Sequence, residues 1–355
     1  MKVKVNGSEL GRVAKILSGI VNSKDSAMSN IRISGDVNGL TFYATNGVIG
    51  AKMTIPMMGV EEETFCVDGV MFNRIMQGAG KEVEISTDGK TCSIKTAGRT
   101  RIPMVNAELN EMEPAHGNTF AVTADGFAFA ADSVAHAVSG DDSRAILTGV
   151  LMDMGKDEVR FVALDGFRLA VEELTLPCPE GIRMVVPGAC MKRICGSVLP
   201  GEEITVTTDG KRATFRTDSI EITCVLLTGE YVDYKRILPT SFQTSVRVKT
   251  EELKAVIRAG QVASEKNNLV EMEIGEDTLT VRSRSESADF EASVPCVTQG
   301  DGLRTAYNEK YLLDSLNSIS AEYVTMNFNR PTEPVVMKTD GTNAIRLLLP
   351  VRIAR

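Results

Sequence analysis

The segment Glu84-Ile85-Ser86-Thr87-Asp88-Gly89-Lys90-Thr91-Cys92-Ser93-Ile94 alternates apolar and polar residues on both sides of an Asp-Gly pair, the pattern of a two-stranded hairpin. The same pattern returns over Ile204–Phe215, again around an Asp-Gly pair (Asp209-Gly210), and more loosely as Val324–Phe328 followed by Val335–Lys338. A motif that recurs at a domain-sized interval constrains the chain to copies of one structural unit. Upstream of each hairpin the pattern predicts a strand and then a short helix: Phe65–Val67 with Val70–Gln77, Met184–Val186 with Met191–Leu199, and Leu303–Ala306 with Glu309–Ile319. Each third also opens with a strand and a longer amphipathic helix. In the first, Leu10, Val13, Leu17, Ile20 and Val21 follow helical spacing. The second is predicted over Phe127–Val138. The third spans Glu252–Ser264, with Leu253, Val256, Ile257 and Val262 apolar.

Each third therefore reads strand, helix, several strands, helix, several strands. Two helices on one face of an antiparallel sheet make an α+β domain. The stretches Pro114–Asn118 and Pro239–Ser241 are natural junctions, giving three tandem domains at 1–118, 119–244 and 245–355. With 355 residues, the chain is long enough for two or three such cores.

Composition narrows the function classes. The chain is 43% hydrophobic and 24% charged, and no apolar run reaches the length of a membrane span. Its opening Met1-Lys2-Val3-Lys4-Val5 is no signal peptide, so a cytoplasmic protein with no membrane partner is expected. Seven scattered cysteines form no CxxC pair and read as small core hydrophobes. A net charge of −8 argues against indiscriminate coating of DNA, but leaves room for basic residues gathered on one surface.

The usual signs of catalysis are missing. Only two histidines occur, so neither a His-centred triad nor a zinc site has material to build on, and His136 reads as a surface or packing residue. Asp88-Gly89-Lys90-Thr91 superficially matches the end of a phosphate loop, but Glu84 stands where the first glycine belongs and the setting is strand-turn-strand. Gly78-Ala79-Gly80 reads as a helix end rather than a dinucleotide fingerprint. The acidic clusters Glu61–Glu63 and Asp141-Asp142 read as solvated faces. The expectation is a protein without enzymatic activity, cofactor or metal.

Three segments carry a resemblance. Leu164-Asp165-Gly166-Phe167-Arg168-Leu169-Ala170 resembles the Asp-Gly-x-Arg-Leu-Ala strand-loop motif in the middle domain of bacterial sliding clamps. Gly229–Pro239 resembles their Asp-Tyr-x-Arg-x-Leu-Pro segment between the middle and last domains. Leu347-Leu348-Leu349-Pro350-Val351-Arg352 resembles their C-terminal Met-Pro-x-Arg signature. The three occur in order across a threefold repeat, so the resemblance covers the whole chain. It implies the beta subunit of DNA polymerase III: three clamp domains per protomer, two protomers closed head to tail into a ring, and no catalysis. It also implies partners: sequence-independent duplex DNA, a second copy, the replicative polymerase alpha subunit, the clamp loader, and other polymerases, mismatch-repair or ligase proteins that bring a short hydrophobic peptide. A repeated α+β enzyme would need perturbed acids or a metal. A clamp-like scaffold dedicated to repair or to a mobile element stays open at this point.

The resemblance also implies where the sites fall. The partner-peptide cleft would comprise Leu147, Leu164, Gly166, Phe167, Arg168, Leu169, Val232, Arg236, Ile237, Leu347, Leu349, Pro350, Val351 and Arg352. Its aliphatic walls suit an apolar anchor, with the arginines at the rim to meet peptide carbonyls or a carboxylate. Phe167 stands where many members have histidine and Leu164 where many have threonine, which makes the expected pocket more apolar, and Val232 replaces a frequent proline. Helix geometry places Arg12 and Lys15 off the apolar stripe of the first helix, with Lys24 beyond its end, and Lys254 and Arg258 off that of the third long helix. Arg74, Lys192, Arg193, Lys266 and Lys310 occupy or flank the other helices, and Arg144 follows the second long one. Together they are the expected DNA-facing set, contacting phosphates only. The dimer joint implied by resemblance pairs Ile102 and Met104 with Gln261 and Val262.

Overall fold

The computed structural model describes residues 1–264 and 268–352. Its elements repeat one order three times. The first pass is β1 (Lys2–Asn6), α1 (Gly7–Ser18), β2 (Asn30–Asp36), β3 (Gly39–Thr45), β4 (Ile49–Pro56), β5 (Glu63–Asp68), α2 (Gly69–Met76), β6 (Glu82–Thr87), β7 (Thr91–Lys95) and β8 (Arg99–Pro103). The second is β9 (Asn118–Thr123), α3 (Ala124–Ala135), β10 (Gly149–Gly155), β11 (Glu158–Leu164), β12 (Arg168–Thr175), β13 (Arg183–Pro187), α4 (Gly188–Cys195), β14 (Glu203–Thr208), β15 (Arg212–Arg216) and β16 (Ile220–Val225). The third is β17 (Thr244–Lys249), α5 (Thr250–Gly260), β18 (Leu269–Ile274), β19 (Thr278–Arg284), β20 (Asp289–Gln299), β21 (Arg304–Asn308), α6 (Glu309–Asn317), β22 (Tyr323–Phe328), β23 (Val335–Lys338) and β24 (Ile345–Leu348).

Both Asp-Gly hairpins form as expected, and by the same chemistry. Gly89 and Gly210 adopt φ of +82° and +81°, which only glycine reaches cheaply. In each, the preceding aspartate accepts two backbone N–H bonds across the turn: Asp88 from Lys90 and Thr91, Asp209 from Lys211 and Arg212. Several helices start earlier than their apolar stripes suggest, because a polar cap starts them. Asn6 accepts from the N–H groups of Ser8 and Glu9, and Asp68 from Met71, while Asn308, accepting from Tyr311, caps α6 at its expected start. The third long helix ends sooner than expected: α5 stops at Gly260, and a 3-10 turn over Gln261–Ala263 leaves Val262 75% exposed instead of on the apolar stripe.

The chain packs as two compact units, Met1–Phe127 with Ala189–Leu226, and Ala128–Gly188 with Leu227–Arg355. The middle pass divides between them because strand pairing continues from one pass into the next. In the first unit β4 pairs antiparallel with β16, making an eight-stranded sheet (β5-β2-β3-β4-β16-β15-β14-β9) beside the four-stranded β1-β6-β7-β8. In the second, β12 pairs antiparallel with β24 within a twelve-stranded sheet (β13-β10-β11-β12-β24-β23-β22-β17-β20-β19-β18-β21).

Strand alternation decides what each face of that second sheet touches. Leu253 and Ile257 of α5 and Leu312, Leu313 and Leu316 of α6 pack on one face against Val335, Met337 and Leu348. The residues between these, Val336 and Leu347, point the other way. They join Leu151, Val162, Leu164, Leu169 and Val171 beneath Tyr231 and Tyr234 of the connecting segment. Cys66, Cys92, Cys190 and Cys224 are buried, as a core role requires, and burial pushes the Cys92 thiol up to about 12.

The helix face of the second unit holds an ion pair. Arg346 is 2% exposed and its Nη2 donates to Glu172 Oε2 at 2.7 Å, while Nε and Nη1 reach Ser318 Oγ and the Val171 carbonyl, each at 2.7 Å. Burial, reinforced by the nearby charges of Arg346 and Arg168, holds the His136 imidazole neutral with a pKa of about 3. A histidine at the unfolded value of about 6.5 takes up a proton that the folded chain refuses, so stability is lost as pH falls below that value. Between pH 6.5 and 5, above the carboxylate range, the unfolding midpoint of the wild type should fall, whereas that of His136→Phe should change much less. An equal fall of the midpoint in the two proteins between these pH values would overturn the assignment of this pH dependence to His136.

Candidate partner cleft and basic surface

The candidate cleft is built in the second unit from elements far apart in sequence. Leu164 ends β11, Leu169 lies near the start of β12, and between them Asp165-Gly166 turns the chain, with Gly166 at φ +94°. Asp165 Oδ1 accepts from the N–H groups of Phe167 and Arg168 at 2.8 and 3.0 Å, fixing the turn. Across the sheet Leu169 pairs with Leu347 and Arg168 with Leu348. The chain then continues along the same turn, because the Leu349 N–H donates to the Phe167 carbonyl at 2.9 Å and the Val351 N–H to the Ala306 carbonyl at 2.8 Å. The Leu164–Ala170 and Leu347–Arg352 segments are thus hydrogen-bonded side by side.

Burial separates this set into two layers. Leu147, Leu164, Leu169 and Leu347 are 1–6% exposed and belong to the core beneath Tyr231 and Tyr234. Phe167 (59%), Val232 (39%), Ile237 (40%), Leu349 (37%) and Val351 (40%) are exposed, and Pro350 is half-buried. These are five of the fifteen large hydrophobic side chains found exposed among the described residues, all from the set expected at the cleft.

The arginines behave unequally. Arg168 does not stand free at the rim: its Nε bonds Asp165 at 3.0 Å, its Nη1 bonds Asp314 at 2.8 Å, and its guanidinium lies 4.3 Å over the Tyr311 ring. Paired on two sides, it holds the turn. Arg236 and Arg352 remain exposed, Arg236 beside Asp233 at 2.9 Å. Arg144 lies near the cleft too, since a Cβ added to Gly166 would stand 3.4 Å from its Nη2. Tyr311 and Asp314 of α6 were missed from sequence. Tyr311 faces Phe167 with ring centroids 6.0 Å apart, and the two α6 residues, three apart, share the helix side that meets β12. Their signal was a polar pair off the Leu312/Leu313/Leu316 stripe.

The expected DNA-facing residues also divide. Lys15, Lys24, Arg74, Lys192, Arg193 and Lys310 are exposed on or beside helices, and Arg258 is exposed with its Nη2 on Asn317 at 2.8 Å. Arg12 is committed elsewhere, donating to the Ser197 carbonyl and Ser219 Oγ at 2.8 and 3.1 Å. Lys254 is 5% exposed, because the Ile319 carbonyl and Glu251 capture its ammonium at 3.1 and 2.8 Å. It is therefore withdrawn from the surface set. Lys266 lies outside the described residues. Among the described residues, five of the six α-helices keep an exposed basic residue and α3 has none.

Of the expected joint residues, Ile102 is 2% exposed within its own sheet and Met104 half-buried, whereas Gln261 and Val262 are exposed. No helix among the described residues is long and apolar enough to cross a membrane.

Sequence profiles of the DNA polymerase III beta subunit match this chain over residues 121–233 (central domain) and 235–352 (C-terminal domain). The chain belongs to the DNA polymerase III beta subunit family, the beta sliding clamps. The beta sliding clamp of Streptomyces coelicolor is 24% identical over 350 residues, 92% of each chain. The crystal structure of the DNA polymerase III beta subunit of Thermotoga maritima superposes with a TM-score of 0.94 at 27% identity, covering 99% of this chain and 100% of that one. The Bacillus subtilis DNA polymerase sliding clamp shares the fold, with a TM-score of 0.91 at 22% identity over the whole of both chains. The names of these relatives give no support to a scaffold dedicated to repair or to a mobile element.

Proposed function

We propose that this chain is a cytoplasmic, non-catalytic processivity clamp whose domains, 1–118, 119–244 and 245–355, form half of a ring around duplex DNA. Two copies close head to tail, exposed basic residues on the helices meet phosphates of any sequence, and no cofactor or metal takes part. The replicative polymerase alpha subunit, the clamp loader, and other polymerases, mismatch-repair or ligase proteins dock a short hydrophobic peptide on Phe167, Val232, Ile237, Leu349 and Val351.

The pattern of strand pairing carries this reading. The fourth strand of the first pass pairs with the eighth of the second (β4 with β16), and the fourth of the second with the eighth of the third (β12 with β24). Continuing the series, β20 calls for an eighth strand, and β8 ends its sheet unpaired on one side. β20 is free to accept it: Asp289–Pro295 pairs with β19 along one edge only, since β17 takes Cys296–Gln299. Arg99 and Arg101 are exposed on β8 and Asp289 and Glu291 on β20, the two acids paired within their own sheet with Arg284 and Arg282 at 3.0 and 2.6 Å. A contact between two different edges, repeated by a second copy, closes a ring.

The test is topological. Loaded onto circular duplex DNA, the protein should co-elute with the circle through high-salt gel filtration and be lost once the circle is cut. Retention on the linear form, or a monomer by light scattering at micromolar concentration, overturns the ring.

A further inference from the structure

Beside the cleft, on the same face of the same sheet, lies a second hollow of about 520 Å³, lined by Tyr234, Lys235 and Leu238 of the second motif segment but by none of the residues assigned to the cleft. Its position follows from the ladder. Leu169, Leu347 and Val336 are register partners on one rung beneath the cleft; two residues along, Val171, Ile345 and Lys338 form the next rung facing the same way. That second rung floors the hollow, with Leu238 and Tyr234 as its wall. The wall is shared: the 3-10 turn Tyr234–Arg236 leads into Ile237, exposed at the cleft, and Leu238, lining the hollow. Adjacent same-face rungs stand about 7 Å apart, which an extended peptide spans in two residues.

The charges at the hollow are sorted. Arg160 is spent on Glu158 and Glu173 at 2.6 and 2.8 Å, and Asn343 Nδ2 occupies the other Glu173 oxygen at 2.5 Å. The two lysines at the rim are held far less. Lys235 is 59% exposed and 3.5 Å from Asp153, and Lys338 is exposed with its ammonium 5.7 Å over the Phe242 ring.

We infer that this hollow is a second subsite for the docked partner peptide, taking an apolar residue flanked by carboxylates, about two positions from the end of the hydrophobic anchor. The inference rests on the cleft reading and deepens it: the floor receives the apolar side chain, while Lys235 and Lys338 attract its acidic neighbours. An acidic flank would then separate tight partners from weak ones at a site where the anchor is shared.

Fluorescence anisotropy with three labelled peptides tests it: a short anchor peptide rich in Gln, Leu and Phe, and the same peptide extended by Glu-Leu-Glu at its N- or its C-terminal end. On the full-length wild type one extended form should bind about 10-fold tighter than the anchor alone, and the gain should shrink with added salt. On the double variant Lys235→Glu, Lys338→Glu the gain should vanish while the anchor peptide binds as before. If the anchor binds but neither extension tightens it, or the variant keeps the full gain, the subsite is refuted and the cleft stands. If the anchor itself does not bind, the cleft reading fails and the subsite falls with it.

Discussion

Removing residues 350–355 is expected to abolish binding of a short peptide rich in Gln, Leu and Phe, weakening it by at least about 100-fold, while leaving the size of the protein in solution unchanged. The deletion takes away Pro350, the exposed apolar Val351 and Arg352, and with them the bond by which the Val351 N–H fastens the tail to the Ala306 carbonyl. Leu349, left at a free chain end, would fray. The fold should survive, because Leu347 and Leu348 remain paired in β24 and buried. Phe167→Ala is the gentler companion: the ring is 59% exposed, so its loss should cost binding about 1–3 kcal/mol and stability little. Leu169, at 2% exposed, would confound the two, since truncating it opens a cavity in the core. Peptide titration by calorimetry with light scattering as control is the measurement. Unchanged affinity in the truncated chain would remove the tail from the site.

The second large effect concerns stability. Arg346→Met should destabilise the second unit by about 3–5 kcal/mol, because it leaves the Glu172 carboxylate, 5% exposed, without its cation. Five hydrogen bonds end on this guanidinium, joining β24 to the Val171 backbone, to Glu172 and to Ser318. Replacing both charges, Glu172→Leu with Arg346→Met, should recover most of the loss, since no uncompensated charge stays buried. Urea denaturation of the two variants tests this. A single variant as stable as the wild type would mean that water reaches Glu172.

Much of the fold was legible because its signals are local. Asp88-Gly89 and Asp209-Gly210 announce hairpins through the backbone geometry that glycine permits and aspartate stabilises. The helix stripes of Leu10, Val13 and Leu17, or of Leu253 and Ile257, name their buried faces by spacing alone. Helix ends were read less well where a cap or a 3-10 turn intervened, as at Asn6 and Val262.

The site was legible as three motifs and illegible as a surface. Sequence gathered Phe167, Ile237 and Leu349 into one set, yet it could not say that Leu164, Leu169 and Leu347 of the same set are sealed beneath the connecting segment. Nor could it show that Arg168 is held by Asp165, Asp314 and Tyr311, or that the Ile319 carbonyl draws Lys254 inward. A basic side chain off a helix stripe can face water or a neighbouring carbonyl, and only the packing of the next element chooses.

By itself, then, the sequence determined the threefold order of strands and helices, because hairpin turns, caps and apolar periodicity act over a few residues. It also brought the relevant segments to notice through their motifs. What the tertiary structure decided was pairing and exposure: β4 with β16, β12 with β24, and β8 and β20 left with open edges. Those depend on backbone hydrogen bonds between residues more than a hundred positions apart, whose partners no local pattern names.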